Sequence, residues 1–156
     1  MEQTLLNDRL KITPSEGFVK MSQEELDASY ESEDIEAIGL VDKSRKLLVT
    51  ILYQQYYRLL VLLASLKSMS IKNEQLIKDM YKDHQYEFVK YIDQIVNGIK
   101  MSGYVFTYVR DNVKQAVLTL LFKHKDCIYS LNCYKEADDG LNFGVFDDII
   151  NSLTFK

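Results

Sequence analysis

Residues 103–134 constrain the fold more than any other stretch. Gly103–Arg110 alternates Tyr104, Phe106 and Tyr108 against Val105, Thr107 and Val109. That period of two belongs to a β-strand, whose side chains leave opposite faces in turn. Gln115–Phe122 sets Ala116, Leu118, Leu120 and Phe122 on one face, and Cys127–Tyr134 follows a polar turn at Lys123–Asp126. Connections this short cannot carry a parallel crossover, so the three strands form an antiparallel meander.

The flanking segments supply what covers the sheet. Pro14 and Gly17 mark a turn after a first strand over Leu5–Thr13. Ser22-Gln-Glu-Glu25 is a capping box that starts a short helix with Leu26 and Tyr30 one turn apart. Asp42–Arg45 reads as a turn between strands Ala37–Val41 and Lys46–Tyr53, the latter with Leu47, Val49, Ile51 and Tyr53 on one face. Asn73–Lys82 has Leu76, Ile77, Met80 and Tyr81 at helical spacing. Ala137-Asp-Asp-Gly140 reads as a turn ending the meander. Phe143, Phe146, Ile149, Ile150 and Leu153 then predict a closing amphipathic helix, with Asp147 and Asp148 on its wet side. Segregated strands and helices indicate an α+β fold with an antiparallel sheet.

Two segments stay open on local grounds. Tyr57–Leu66 is apolar all round, so it is either a buried helix or an extension of the preceding strand. Residues 86–97 fit a helix through Phe88, Val89, Ile92, Ile95 and Val96. Their β-prone composition and the following Asn97-Gly98 also fit a hairpin strand. The local evidence leans to helix.

The chain has 156 residues, 47% apolar and 27% charged, with no repeat or Pro/Gly-rich linker, which predicts one domain over 1–156. The run at 47–66 has the length of a membrane span. Gln54, Gln55 and Arg58 near its middle point instead to two buried elements and no span. The first 46 residues carry a net charge of −5 and the remainder +1, with seven acids and no base between Met21 and Glu36. This distribution repels phosphate backbones and argues against a nucleic-acid partner. The acidic stretch reads as a solvated face or as a dock for a basic partner.

Cys127 and Cys133 stand six apart in a predicted strand. That separates them by about 20 Å, beyond the roughly 7 Å limit of a disulfide. Two reduced thiols and a cytoplasmic location are the expectation, and the N-terminus has no signal-peptide pattern. No phosphate-cradling glycine loop, zinc-ligand spacing or nucleophile elbow occurs, so neither metal nor cofactor is expected. Asp138-Asp139-Gly140 lacks calcium-loop spacing. His84 and His124 are read as surface residues, and a Cys–His pair would need tertiary contact.

Eleven tyrosines and no tryptophan leave an aromatic signal. Tyr53, Tyr56, Tyr57, Tyr104 and Tyr108 are either core rings with wet hydroxyls or a protein-docking surface. Asp93, Asp111 and Asp148 are the carboxylates available to a small-ligand or catalytic pocket.

The order of elements, through GFVKMS, IGLVDKSRKLLVTILY, VNGIKMSGYVFTYV and FDDIINSLTF, resembles the PsbP-like superfamily, which includes bacterial DcrB-like domains. The resemblance covers nearly the whole chain. It implies an antiparallel sheet between helices, an α/β/α sandwich, and turns 86–96 into a strand. It also implies a non-enzymatic, protein-binding function. An acidic chaperone for secreted or membrane-inserting proteins, acting as a homodimer with an apolar groove, is the first alternative. A small-ligand-binding protein is the second.

Overall fold

The computed structural model of the chain describes residues 3–30, 36–137 and 141–156. The expected turn at Asp138–Gly140 and part of the acidic stretch fall outside the described residues. The fold is α+β, built on a seven-stranded antiparallel sheet. Its strands are β3 (Val19–Lys20), β4 (Ala37–Asp42), β5 (Leu47–Gln55), β6 (Glu87–Val96), β7 (Ile99–Arg110), β8 (Val113–His124) and β9 (Cys127–Glu136). They lie in the order β3-β4-β5-β9-β8-β7-β6.

The meander is longer than three strands because 86–97 joins it. Asn97 and Gly98 both take positive φ, 50° and 78°, the two-residue turn whose twist matches paired strands. Val96 therefore faces Ile99, and pairing runs back to Glu87 opposite Thr107. The strand that the resemblance implied at 86–96 is present in place of the helix favoured by local spacing, because the turn makes β7 available as a hydrogen-bonding partner. Asp111 and Asn112 repeat the device between β7 and β8, with φ of 50° and 63°. The next turn is tighter than expected: His124 still belongs to β8, and Lys125-Asp126 alone make the corner.

The same device corrects the N-terminal expectation. Asn7 and Asp8 have φ of 55° and 52°, so Leu5–Thr13 is not one strand. It folds into a hairpin, β1 (Thr4–Leu6) and β2 (Leu10–Ile12), closed by Arg9 N donating to Leu6 O at 3.1 Å. β10 (Thr154–Phe155) adds to β2, giving a small three-stranded sheet. The closing helix is shorter than its apolar spacing suggested. A 3-10 turn, Gly144–Phe146, leads into α4 (Asp147–Asn151), and the chain then extends into β10. Phe146, Ile149, Ile150 and Leu153 are buried while Asp147 and Asp148 are exposed, as their spacing requires.

The small sheet and α4 cover one face of the large sheet. Leu10, Ile12, Leu40, Ile51, Leu120, Leu131, Phe146 and Ile149 pack there with full burial. At roughly 1.5–3 kcal/mol for each buried large aliphatic or aromatic side chain, this face holds most of the apolar driving force. The opposite face is covered by α1 (Gln23–Tyr30) and α3 (Leu66–Met80). Ser22 and Glu25 cap α1 reciprocally, at 3.2 and 3.1 Å. Gly39 leaves room there for Met21 and Leu26, since an added Cβ would lie 2.5 Å from Met21 Sδ.

α3 turns half of its expected apolar stripe inward: Ile77, and Tyr81 just past the helix end, pack on the sheet, and the rest of the covered face is polar. Ser70 and Glu74 are buried, whereas Leu76 and Met80 are about two-thirds exposed. The sheet beneath explains this. Tyr104, Phe106 and Tyr108 of β7 project toward α3 with Tyr81 and Tyr86. Tyr86 and Tyr91 both donate to the Glu74 carboxylate, and Tyr104 donates to Asn73 Oδ1. A carboxylate and an amide satisfy those hydroxyls where leucine would leave them unpaired.

Candidate functional site

The end of the molecule beyond β5 differs from the rest in what it leaves exposed. β5 runs out at Gln55, Tyr56 N bonds Asp126 O at 2.7 Å, and the chain turns into α2 (Arg58–Leu63). Here the expectation of a second buried element fails. Val61 is 2% exposed, but Leu59, Leu60, Leu62 and Leu63 are 64%, 58%, 70% and 73% exposed, and Tyr57 is 83% exposed. One residue of six faces the protein; the others face outward. No helix among the described residues is long and apolar enough to cross a membrane.

α2 is held by its C-terminal carbonyls and by the single buried side chain of Val61. Lys123, near the end of β8, donates from Nζ to the carbonyls of Val61, Leu62 and Ala64 at 2.9, 3.0 and 2.7 Å. An ammonium at the C-terminus of a helix satisfies carbonyls that lack intrahelical partners and complements the local dipole. Ser65 then caps α3 by accepting from Ser68 N at 3.2 Å.

Two hollows flank Tyr56. The first, about 590 Å³, lies between α3 and the ends of β5, β8 and β9. Leu52, Met69, Leu76, Leu121 and Ile128 give it apolar walls, with Tyr53 and Tyr56 at one side and Lys72 and Asn73 at the other. The Tyr53 hydroxyl donates to the Glu36 carboxylate, which pushes its pKa up to about 12, and Tyr56 donates to Gln54 Oε1. Tyr53 packs its ring against Tyr129, at 6.0 Å between centroids, on the core face of β5, so of the two it is Tyr56 that presents its ring at the rim. The second hollow, about 780 Å³, is lined by Arg9, Gln55, Tyr56, Tyr57, Arg58, Leu60, Lys125 and Asp126. Arg9 forms an ion pair with Asp126, and Gln55 Nε2 donates to the same carboxylate at 2.7 Å. The bond from Arg9 holds Asp126 well below the usual carboxylate range.

Of the five tyrosines singled out by sequence, three meet here. Tyr53, Tyr56 and Tyr57 rim the two hollows, while Tyr104 and Tyr108 are buried under α3. The docking expectation is corrected for those two because β7 is an interior strand with a helix over it. Asp93, Asp111 and Asp148 are exposed and sit apart, on β6, the β7–β8 turn and α4; Asp93 lines a hollow of about 450 Å³ between β6, β7 and the start of α3, beside Lys67 and Lys100. His84 is exposed, but His124 is half-buried and stacked on Phe155 at 3.9 Å, which corrects its surface reading. Burial, then the charges of Lys125, Arg9 and Arg58, pull the His124 imidazole below its ordinary pKa.

Cys127 and Cys133 are free and buried on one face of β9, and burial pushes both thiols up. Neither thiol is poised as a nucleophile. Among the described residues, no group of three His, Cys, Asp or Glu side chains is arranged to hold a metal. The feature that sequence reasoning missed is the exposure of α2. Its one available sign was an apolar run with no polar face to settle which side was inward.

No family model matches the sequence, and no curated protein matches it. Solved structures do share its fold. The chain is similar to the cyanobacterial PsbP of Synechocystis, with a TM-score of 0.69 and 13% identity, covering 99% of this chain and 92% of that one. It is similar to a protein of Bacteroides thetaiotaomicron, with a TM-score of 0.58 and 7% identity, covering 94% of this chain and 45% of that one. It is also similar to LpqN of Mycobacterium tuberculosis, a protein involved in cell envelope biogenesis, with a TM-score of 0.55 and 11% identity over 94% of this chain and 83% of that one. The fold is PsbP-like. Besides its helices, the fold carries a small three-stranded sheet, packed with α4 on one face of the large sheet.

Proposed function

We propose that the chain is a non-catalytic protein-binding module, and that its docking surface is the trough between α3 and the β5 end, with Tyr53 and Tyr56 along it and Tyr57 beyond. The observation that carries this reading is the trough: apolar walls from Leu52, Met69, Leu76, Leu121 and Ile128, open to solvent, with Tyr56 held at its rim. Tyrosine is favoured at interfaces because it supplies a large contact area at low cost in side-chain entropy. Against the small-ligand alternative, Asp93 is the one of the three candidate carboxylates that lines a described hollow, and that hollow is open and mostly apolar-walled, with Asp111 and Asp148 elsewhere. The structural neighbours, a PsbP and an envelope-biogenesis protein, fit an accessory role. A cytoplasmic setting goes with this reading, since both thiols are free.

The test is site-specific photo-crosslinking in the host. A crosslinking residue at Tyr56 or Leu76 is expected to give one discrete protein adduct, and the same residue at Lys46, on the far side of β5, none. Adducts of equal yield at all three positions, or at none, refute the trough as a docking site. The chaperone reading is favoured by the exposed leucines of α2 and requires a dimer; a monomer by sedimentation equilibrium removes it.

A further inference from the structure

α2 calls for an environment that the trough does not supply. In helical projection its exposed leucines fan over an arc of about 160°, and Tyr57 widens it further. A groove on a partner contacts a helix along a narrower stripe. Immersion in an apolar phase contacts the whole arc.

The charges around α2 indicate which apolar phase. Arg9, Arg58 and Lys125 line the hollow that Leu60 shares, and Lys123 grips the helix carbonyls, while Asp126 is the one carboxylate lining that hollow. Three cations against one carboxylate give +2 in that hollow, on a chain whose net charge is −4. Neither Arg58 nor Lys125 has an ion pair among the described residues. A second copy packed through α2 by two-fold symmetry would bring these like charges together without matching acids. An anionic surface would neutralise them.

We infer that α2 is a membrane-surface wedge: Leu59, Leu60, Leu62 and Leu63 enter the outer acyl region of an anionic lipid bilayer while Arg58, Lys125 and Arg9 contact its headgroups. Tyr57 lies at the boundary, where amphipathic rings are favoured. At about 9 Å long, the helix lies in the interface and does not span. Attachment by four leucines and three cations is weak, reversible and sensitive to salt. This goes beyond the protein-binding reading and does not depend on it, since the trough lies on the other side of Tyr56.

The experiment is flotation of the full chain with vesicles of phosphatidylcholine alone and of phosphatidylcholine mixed with phosphatidylglycerol. Binding is expected only to the mixed vesicles and is expected to fall as salt rises. Leu59→Glu with Leu62→Glu should abolish it; both sites are exposed, so an unchanged circular dichroism spectrum and melt verify the fold. Arg58→Gln with Lys125→Gln should weaken it about 30-fold, from about 5-fold per cation near a charged surface. Because the chain has no tryptophan, Leu63→Trp gives a single reporter whose emission should shift to the blue on mixed vesicles. The inference is overturned by absence of flotation on mixed vesicles at low salt, by flotation that survives the double glutamate change, or by an unshifted tryptophan. A wild-type dimer that the glutamates convert to monomer also overturns it, by assigning α2 to a second copy.

Discussion

Replacing Lys123 with methionine tests whether α2 is held as its geometry indicates. The ammonium donates to three carbonyls in the last turn of a six-residue helix that buries only Val61. A helix this short has little stability of its own, because nucleation cost is not recovered over so few residues. Methionine keeps the length and fills the space along β8 without the charge. A hydrogen bond to a charged group is worth about 1.5–3 kcal/mol, but the freed carbonyls are near solvent and regain part of that from water. A local loss of about 1.5–2 kcal/mol is therefore expected, or a 10- to 30-fold rise in the open population. Amide hydrogen exchange reads it directly. Val61 N, bonded to Tyr57 O, and Ala64 N, bonded to Val61 O, should exchange 10- to 30-fold faster, while the β8 amides of Leu118–Leu121 keep their rates. Wild-type rates at Val61 and Ala64 would refute the reasoning, and so would an equal acceleration throughout the sheet.

Gly103→Ala should abolish the native fold, because an added Cβ would sit 1.7 Å from Thr119 O, a backbone atom of a paired strand that has nowhere to move; a soluble variant with a melt within a few degrees of wild type would contradict this. Asp42, buried and bonded to Arg45 and Ser44, titrates at about 2 when folded, below its unfolded value near 4. A depressed carboxylate stabilises the fold above the unfolded pKa, and that contribution is lost as pH falls through the folded one. The melting difference between wild type and Asp42→Asn should therefore be largest near neutrality and shrink between pH of about 4 and 2; a constant difference would count against it. Cys127 and Cys133 should resist a thiol reagent in the native chain and react together on unfolding, and rapid native labelling of either would show that β9 opens locally.

The large sheet was legible because two signals agreed in β7, β8 and β9: side-chain alternation and short polar connections. At 87–96 they disagreed. Phe88, Val89, Ile92, Ile95 and Val96 satisfy a helical stripe, and only pairing with β7 decides for strand; as an edge strand it leaves Phe88 and Ile95 exposed, so burial gave no periodic clue. The hairpin at Asn7-Asp8 escaped notice because neither residue is glycine, although asparagine and aspartate tolerate the left-handed region better than other side chains. Asn97-Gly98 makes the same turn, and its glycine keeps a hairpin reading open beside the helical one.

The candidate site was legible as a list of residues but not as a surface. Tyr53, Tyr56 and Tyr57 converge because β5 ends there, while Tyr104 and Tyr108 carry the same side chain into the interior because β7 is flanked by strands and roofed by α3. Composition cannot separate these cases; position in the sheet order does. The leucines of α2 make the stronger point. An apolar run reads as core because burial is the usual way to remove apolar surface from water. α2 follows directly from a strand whose inward residues are already packed, and the sheet face beside it is taken by α3. With both faces of the sheet covered, a further apolar helix has no interior left to enter. Its leucines must then meet something other than their own chain, and the cations gathered beside them favour a surface of opposite charge.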